Sequence, residues 1–259
     1  MRAAVALCVL AGCGRFGFGD EPTRDAATDT AVTTHDAADA AIDTPAVPAG
    51  LIAWWPMDGD PADGTIDDVG GGGHSATCAA GVSCPTSVPG KHGNAIRVDG
   101  SQFAYVAYGA WLGTSGPFTY ASWINIEVDA DQVAFARPVG VDVGDSWDIV
   151  TWSVASGSGT CFENADSAGA NQAVCGSHSP VNQWIHVAGT WDGATSTLFV
   201  NGAKVGAKAT PAVMFDTHDL IIGADMNMGS PAYQFHGRID DLRLYDRALA
   251  DTEITVLAQ

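Results

Sequence analysis

The chain has 259 residues and is strongly acidic, with 30 acidic against 11 basic side chains and a formal net charge of −19. This charge disfavours nucleic acid and anionic lipid as partners, whereas it is compatible with divalent cations and neutral sugars. The few lysines, the 31 glycines and the many β-branched residues are typical of an exported all-β domain.

The start of the chain has the pattern of an export signal. Arg2 precedes an apolar run over residues 3–10, and Leu10-Ala11-Gly12-Cys13 resembles the cleavage box of bacterial lipoproteins. The resemblance implies that residues 1–12 are a signal peptide and that Cys13 is lipidated. The protein would then be anchored in the bacterial cell envelope, at the outer membrane or the cell surface. No other apolar run is long enough to span a bilayer, so we expect membrane contact through the lipid anchor only. The alternative is an ordinary signal peptide, or a cysteine that occurs at this position by chance.

Residues 13–48 are rich in Ala, Asp, Thr and Pro, with no aromatic residue after Phe18. Such a segment cannot bury enough apolar surface to fold. It carries seven acidic and two basic residues, and their mutual repulsion should keep it extended. We therefore predict a disordered tether, followed by a single domain over residues 49–259 that is long enough for a β-sandwich.

Apolar runs bounded by Gly, Ser, Pro and Asp predict strands in the middle of the domain, at residues 118–128, 147–154, 183–191 and 196–200. Asn201-Gly202 is a strong signal for a two-residue hairpin turn. One or two helical turns are expected over residues 251–257. Glu253 supplies the acid of a capping box, but Ala250 occupies the cap, so the helix start should be loose.

Residues 238–245 predict a strand that is buried on both sides. Strict alternation would place Ile239, Asp241, Arg243 and Tyr245 on one face, and Asp240, Leu242 and Leu244 on the other. Adjacent carboxylates resist burial unless they are paired or bind a cation. Either Arg238 and Arg243 neutralise the two aspartates, or one of them binds a metal.

The motif at residues 237–249, which contains this strand, resembles the closing signature of laminin-G-like, concanavalin A-like domains. Other segments resemble motifs of the same family in the same order, at residues 51–58, 89–100, 118–124, 184–193 and 198–202. The resemblance extends from about Gly50 to Leu257. It implies an all-β jelly-roll sandwich of two antiparallel sheets, and it says little about function because one sandwich hosts many activities.

The same resemblance implies a calcium site. In laminin-G-like relatives an aspartate before a Gly- and Asn-rich turn joins an aspartate of the closing strand around one ion. Carried over to this chain, the ligands are Asp68, the carbonyls near Gly71 and Gly73, and Asp240, with Asp58 as a further ligand. Carboxylates and carbonyls suit Ca²⁺, and we expect the ion to be structural. The alternative is an acidic loop, with Asp240 paired to an arginine.

Six cysteines are present. Cys8 lies in the predicted signal peptide and Cys13 is the predicted lipid site. The four others allow three disulfide pairings, of which we favour the local one, Cys78 with Cys84 and Cys161 with Cys175. Export favours oxidation, and the spacings do not match a zinc site.

The sequence disfavours an enzymatic function. Related glucanases carry Glu-x-Asp-x-x-Glu, and residues 127–132 come close but place Gln132 where the final acid should be. An amide cannot protonate a leaving sugar, so one of the two carboxylates needed for hydrolysis is missing. His186, within a predicted strand, is better explained as a structural residue than as a metal ligand.

Three tryptophans are candidates for stacking on a sugar ring. Trp147 and Trp152 have opposite parity in one predicted strand, so at most one of them faces outward, and Trp111 lies in a turn-rich segment. We therefore predict a surface-anchored, non-catalytic module that binds a polysaccharide or glycoprotein and carries a structural calcium ion. The alternative is a structural or adhesion domain that contacts a surface protein and has no sugar site.

Overall fold

The computed structural model describes residues 47–78, 84–112, 116–139, 146–166 and 168–259. The predicted signal peptide, Cys13 and the tether up to residue 46 lie outside these ranges. Of the predicted tether only Val47 and Pro48 are described, and Pro48 is buried. Within the described ranges no helix has the length and apolar character needed to cross a bilayer.

The described residues form eighteen strands and one α-helix. In chain order they are β1 (Leu51–Trp55), β2 (Thr65–Ile66), β3 (Ala76–Cys78), β4 (Thr86–Pro89), β5 (Asn94–Asp99), β6 (Ala104–Val106), β7 (Phe118–Ile126), β8 (Gln132–Pro138), β9 (Ser146–Thr151), β10 (Thr160–Ala165), β11 (Asn171–Cys175), β12 (Trp184–Trp191), β13 (Thr195–Val200), β14 (Ala203–Ala209), β15 (Leu220–Ile222), β16 (Asp225–Asn227), β17 (Ser230–Ala232), β18 (His236–Tyr245) and α1 (Asp251–Leu257). The four strands predicted in the middle of the domain are confirmed, with ends shifted by up to three residues.

The strands form two antiparallel sheets and a small hairpin. The first sheet has the order β14-β13-β12-β7-β18-β5-β4, and β1 also pairs with β18. The second has the order β11-β10-β9-β8-β15-β6-β3-β2, and β16 pairs with β17 alone. Neighbours in space are often distant in sequence, as in a jelly roll. The predicted all-β sandwich is confirmed.

The main core lies between the two sheets. In β7 the alternating residues Phe118, Tyr120 and Ile124 point into it. The ring of Phe118 stacks on Trp147 of the opposite sheet, with centroids 4.4 Å apart. Gly189 of β12 permits a close approach from β10, because a Cβ added there would lie 2.2 Å from the ring of Phe162.

The predicted alternation of β18 is wrong beyond Asp240. The register against β7 shifts between Asp240 and Arg243, and Asp241 has a φ of 55°, which marks a β-bulge. The extra residue resets the alternation, so that Ile239, Leu242 and Leu244 all join the main core. Asp240 and Arg243 instead lie opposite Trp123 and Ala121 of β7, on the outer face of the first sheet.

Helix α1 covers part of this outer face. Ile254 and Leu257 pack with Phe199 and Tyr245 in a separate apolar cluster. The helix start has half of a capping box. Glu253 accepts a hydrogen bond from the backbone N–H of Ala250 at 2.9 Å, but the alanine side chain has no acceptor for the backbone N–H of Glu253. Arg247 donates to both oxygens of Glu253 and lowers the pKa of that carboxyl to about 2. The predicted helix and its partial cap are confirmed.

Local features of the chain also agree with prediction. Asn201 and Gly202 have φ values of 49° and 77°, as the hairpin turn between β13 and β14 requires. Disulfides join Cys78 to Cys84 and Cys161 to Cys175, the favoured local pairing. The second bridge links directly opposed residues of β10 and β11.

Candidate functional site

The three tryptophans predicted to bind a ligand have different environments. Trp147 is only 3% exposed, lies under the guanidinium of Arg137 at 4.5 Å and donates to the carbonyl of Met214. It is a core residue, which corrects its assignment as a ligand-binding candidate. Trp111 is partly buried against the main core, and His74 stacks on its ring at 3.7 Å. Trp152 lines a surface pocket.

This Trp152 pocket lies on the outer face of the second sheet, away from the main core. Its volume is about 230 Å³. Strands β8 to β11 form the floor, and the β16–β17 hairpin and the residue that follows it form one wall. The lining residues are Val133, Asp148, Val150, Trp152, Glu163, Asn171, Asp225, Asn227 and Tyr233.

Two aromatic rings of the pocket stand nearly perpendicular. The rings of Trp152 and Tyr233 are 5.9 Å apart at an interplanar angle of 74°, and Tyr233 is 43% exposed. The backbone carbonyl of Tyr233 accepts a hydrogen bond from the N–H of Val133 in β8 at 2.7 Å. The hairpin wall is therefore tied to the sheet, and its aromatic residue has a defined position.

Hydrogen bonds fix the polar side of the pocket. Trp152 Nε1 donates to Glu163 Oε1 at 3.0 Å, and Asn171 Nδ2 donates to Glu163 Oε2. Both carboxylate oxygens are thus held by neighbouring side chains. Such bonds restrict the rotamers of all three residues, which gives the pocket a preorganised polar surface.

The pocket is acidic. Asp148 and Glu163 lie directly opposite each other on β9 and β10, and both are 5% exposed. Asp225 of β16 is 2% exposed. None of the described residues that line the pocket is Lys, Arg or His.

Sequence reasoning found Trp152 and missed its partners. The opposite parity of Trp147 and Trp152 correctly predicted that only one of them faces outward. The same parity places Asp148 on the outer face, and this was an available signal. Nothing local could have indicated Tyr233 or Asp225, because the hairpin that carries them reaches the pocket only through the pairing of distant strands.

The residues predicted to hold calcium have different hydrogen-bond partners. Asp68 uses Oδ1 to accept from the N–H groups of Trp54 and Gly70, and Oδ2 to accept from that of His74. It therefore organises the turn after β2 by itself. Gly71 and Gly73 have φ values of 89° and 72°, as expected for glycines of a tight turn.

Asp240 is placed differently. Its Oδ2 accepts from the N–H groups of Lys91 and His92 at 2.8 and 2.9 Å. Its Oδ1 is buried and accepts no hydrogen bond from the described residues. Burial, together with the negative charges of Asp241 and Asp58, raises the pKa of Asp240 to about 7.

Asp58 and Asp240 line one groove of about 300 Å³, the Asp240 pocket, together with Trp54, His92, Asp241 and Arg243 among others. Asp58 Oδ1 accepts from the N–H of Asn94 at 2.8 Å. Backbone N–H groups of the loop between β4 and β5 thus donate to Asp240, and the N–H of Asn94, the first residue of β5, donates to Asp58. An orphaned buried carboxylate oxygen is a suitable cation ligand, but Asp58, Asp240 and Asp241 do not bring one oxygen each within 4.8 Å of one another. Asp68 lacks such an oxygen, because both of its oxygens are already occupied.

The arginines of β18 divide between different acids. Arg243 pairs with Asp241 at 2.8 Å, stacks on Trp54 at 4.4 Å and so neutralises one of the two adjacent aspartates. Arg238 pairs instead with Glu127 at 3.0 Å. Of the two alternatives, neutralisation of the aspartate pair by both arginines therefore holds only for Arg243, and Asp240 is left without a cationic side-chain partner among the described residues.

The segment that resembles a glucanase motif has structural partners. Glu127 forms ion pairs with Arg97 and Arg238. Asp131 accepts from the N–H of Ser153, and Gln132 Nε2 donates to the carbonyl of Val128 at 2.6 Å. These side chains hold the turn between β7 and β8 in place.

His186 is 1% exposed, and its ring meets the edge of Trp123 at 5.3 Å. Burial lowers its pKa to about 3, so it is neutral. Among the described residues, the one group of three His, Cys or carboxylate atoms within 4.8 Å is Cys161, Glu163 and Cys175. Both cysteines are in a disulfide, so this group offers no thiolate to a metal.

Residues 99–255 match a family model described as the concanavalin A-like lectin/glucanases superfamily, of the laminin G type. The chain belongs to this superfamily. The model spans more than half of the chain, from the end of β5 to within helix α1. No curated protein matches the chain.

Solved structures share the fold at low sequence identity. Domain 4 of AbnA, an extracellular GH43 arabinanase from Geobacillus stearothermophilus solved with arabinotriose, has a TM-score of 0.64 and 22% identity, and the match covers 81% of this chain and 98% of that one. The binding domain of Paraclostridial Mosquitocidal Protein 1 has a TM-score of 0.63 and 16% identity, over 81% of this chain and 52% of that one. A Trypanosoma rangeli sialidase solved with sialic acid has a TM-score of 0.63 and 17% identity, over 82% of this chain and 33% of that one. This chain thus spans about half of the toxin domain and a third of the sialidase.

Proposed function

We propose that the chain is a non-catalytic carbohydrate-binding module, and that the Trp152 pocket is its sugar site. The observation that carries the proposal is the pair of perpendicular rings, Trp152 and Tyr233, beside fixed carboxylates and amides. Aromatic faces stack on the apolar side of a sugar ring, and positioned polar groups orient its hydroxyls. The relative solved with arabinotriose adds support from a protein of the same fold.

The size of the pocket favours a single sugar unit of a polysaccharide or glycoprotein glycan. Its volume of about 230 Å³ lies just below the ~300–1,000 Å³ of pockets for drug-sized ligands. The open side beside Tyr233 leaves room for the rest of a chain to extend into solvent.

Two features support the absence of catalysis. The residues of the glucanase-like segment are engaged in ion pairs and turn hydrogen bonds, and Gln132 replaces the second acid. In the Trp152 pocket both oxygens of Glu163 already accept hydrogen bonds. A carboxylate held in this way suits the orientation of a ligand, whereas glycoside hydrolysis needs one carboxyl group to attack or activate water and a second to transfer a proton.

We also propose that a structural calcium ion binds at the Asp240 pocket, with Asp240 and Asp58 as carboxylate ligands. The ion would neutralise a buried carboxylate and fix the loop between β4 and β5. Of the ligand set expected from the family, Asp240 and Asp58 are retained, whereas Asp68, Gly71 and Gly73 form a turn that is complete without an ion.

The lipoprotein-like start of the sequence supports a further part of the proposal. Lipidated Cys13 would anchor the module in the bacterial cell envelope, and residues 13–48 would act as the tether. A binding module in this position would meet polysaccharides or glycoproteins at the cell surface.

A glycan array probed with the full chain tests the sugar site, using Trp152→Ala and Tyr233→Ala beside the wild type. The loss of an aromatic anchor typically costs about 2 kcal/mol or more, so each variant should bind any positive glycan at least about tenfold more weakly. Tyr108→Ala is the matched control, because Tyr108 is an exposed aromatic residue that does not line the pocket.

Two results would contradict the proposal. One is the absence of binding to every glycan by a folded wild-type chain. The other is release of reducing sugar from a bound glycan, which would show catalysis. Equal loss of binding in Tyr108→Ala would move the site away from the Trp152 pocket.

A further inference from the structure

We propose that the sugar site takes at least two successive units of a linear neutral glycan, one in the Trp152 pocket and the next in a second depression that the same tryptophan borders. This inference rests on the proposed function and specifies its ligand class. The module would then recognise a segment of a chain and bind a monosaccharide only weakly.

The second depression, which we call the His178 depression, is shallow, with a volume of about 10 Å³. It lies where the turn between β7 and β8 meets the segment between β11 and β12. Besides Trp152, its lining includes Val128, Asp129, His178, Ser179 and Val181. Because Trp152 belongs to both linings, groups bound in the pocket and in the depression are neighbours.

The His178 depression offers an apolar surface. Val128 and Val181 are 46% and 43% exposed, and both line it. Single exposed valines are ordinary, whereas exposed apolar side chains grouped beside a pocket indicate an interaction surface. The C–H face of a sugar ring can cover them, as it can cover the ring of Trp152. The apolar surface of the site therefore continues beyond the Trp152 pocket.

The exposed ring of His178 supplies a polar contact beside this surface. Its Nδ1 lies 3.3 Å from the carbonyl oxygen of Trp152. A carbonyl oxygen can only accept, so Nδ1 carries the hydrogen and Nε2 of the neutral ring is an acceptor. A hydroxyl of the second sugar unit can donate to Nε2, while the hydrogen bond of Nδ1 fixes the ring beside Trp152.

Backbone hydrogen bonds hold the walls of the depression. The N–H of Asn182 donates to the carbonyl of Ile126, at the end of β7, at 2.6 Å. The N–H of Val154 donates to Asp129 Oδ1 at 3.1 Å. Walls that are already ordered lose little conformational freedom when a ligand binds, so weak contacts with them can still add affinity.

The shallowness of the depression determines how it acts. A volume of about 10 Å³ cannot enclose a free sugar, so the depression adds little affinity for a monosaccharide. A unit joined to one already bound in the Trp152 pocket is held there at a high effective concentration. Affinity should therefore rise with chain length until both sites are filled. The net charge of −19 disfavours acidic chains.

Titration of the full chain with mono-, di-, tri- and tetrasaccharides of arabinose, of xylose and of glucose, followed by NMR, tests the inference. In at least one series the trisaccharide should bind at least about tenfold more tightly than the monosaccharide. The tetrasaccharide should bind little more tightly than the trisaccharide, because the two sites are then already filled.

Two substitutions test whether the His178 depression is the source of this gain. Val181→Asp places a hydrated carboxylate against the apolar face of the second unit and should abolish the gain, and His178→Ala should reduce it. Trp152→Ala should weaken the binding of every length. Val205→Asp is the matched control, because Val205 is 42% exposed and lies in β14 of the first sheet. It should keep the gain of the wild type.

The outcomes separate the two proposals. Equal affinity for monosaccharide and trisaccharide, or no binding of any of the three series by the folded chain, would overturn this inference, and the carbohydrate-binding function would stand if the glycan array is positive. A gain that survives both Val181→Asp and His178→Ala, or that Val205→Asp also abolishes, would overturn the assignment to the His178 depression. Absence of binding in the titrations and on the array would overturn both proposals.

Discussion

At the scale of single residues, Asp240 occupies an energetically costly position. It lies in the central strand β18, one oxygen accepts two backbone hydrogen bonds, and the other has no partner in the described structure. The neighbouring Asp241 has Arg243, and Glu127 has two arginines. A buried carboxylate without such a partner destabilises the fold when it ionises, unless a cation binds it.

When a chelator removes calcium, the position of Asp240 makes the stability of the domain depend on pH. Burial raises the pKa of Asp240 to about 7 from 3.8, so between these values the folded chain keeps a proton that the unfolded chain loses. The stability of the wild type should therefore fall as pH rises through this window. Asp240→Asn removes this effect. The free energy of unfolding of Asp240→Asn in urea, relative to that of the wild type, should therefore increase by on the order of 3 kcal/mol from about pH 4 to about pH 7.

At neutral pH, added calcium should make the wild type more stable than Asp240→Asn. The wild type should gain unfolding free energy as calcium replaces chelator, and Asp240→Asn should gain little. Asp67→Asn, at an exposed carboxylate of the acidic loop, should respond as the wild type does. An equal calcium response in Asp240→Asn, or no response in the wild type, would rule out the proposed metal site.

At the scale of elements, small deviations from regular strands determine which residues meet. The bulge at Asp241 moves Leu242 and Leu244 to the same side as Ile239 and directs Asp240 to the outer face. A strand without the bulge would bury Asp240 between the sheets with the leucines. The missing side chain at Gly189 has a comparable effect, since it lets β12 and β10 approach closely across the core.

Gly189→Ala should therefore destabilise the domain. The added Cβ would lie 2.2 Å from the ring of Phe162, and relief requires movement of a buried aromatic residue between two sheets. Overpacking of this kind costs about 1–3 kcal/mol, which chemical unfolding can measure. Gly59→Ala is the control, because a Cβ there meets no atom within 4 Å. A similarly small loss of unfolding free energy in both variants would show that the core around Phe162 rearranges to accept the added methyl group.

At the scale of the whole molecule, the two candidate sites lie on opposite outer faces of the sandwich. The Asp240 pocket is on the first sheet beside helix α1, and the Trp152 pocket is on the second sheet beside the β16–β17 hairpin. The main core separates them. Calcium is therefore expected to support the fold of the domain without touching the sugar, and sugar binding should weaken in chelator only to the extent that folding does.

The proposed anchor can be tested in a bacterial host that processes lipoproteins. The full chain should fractionate with membranes, because lipidated Cys13 supplies the anchor, and Cys13→Ser should move it to the soluble fraction. Cys8→Ser is the matched control within the predicted signal peptide and should not change the distribution. Membrane association that survives Cys13→Ser would exclude a lipid anchor at this residue.

The sequence by itself determined the fold class, the middle strands, the Asn201-Gly202 hairpin and the helix after residue 245, and it favoured the disulfide pairing that the structure shows. These follow from local alternation, turn chemistry and ordered motifs, which act over a few residues. It also indicated that only one of Trp147 and Trp152 faces outward, because parity within one strand is local.

Only the tertiary structure decided which tryptophan that is, and what surrounds it. The Trp152 pocket gathers residues from β8 to β11 and from a hairpin that begins about fifty residues after the end of β11, and no local pattern records that pairing. The bulge at Asp241 escaped prediction because a register shift depends on the neighbouring strand as well as on the bulged one. Asp68 and Asp240 look equivalent as acidic residues in family motifs. They differ because backbone N–H groups occupy both oxygens of Asp68, whereas burial leaves one oxygen of Asp240 without a donor.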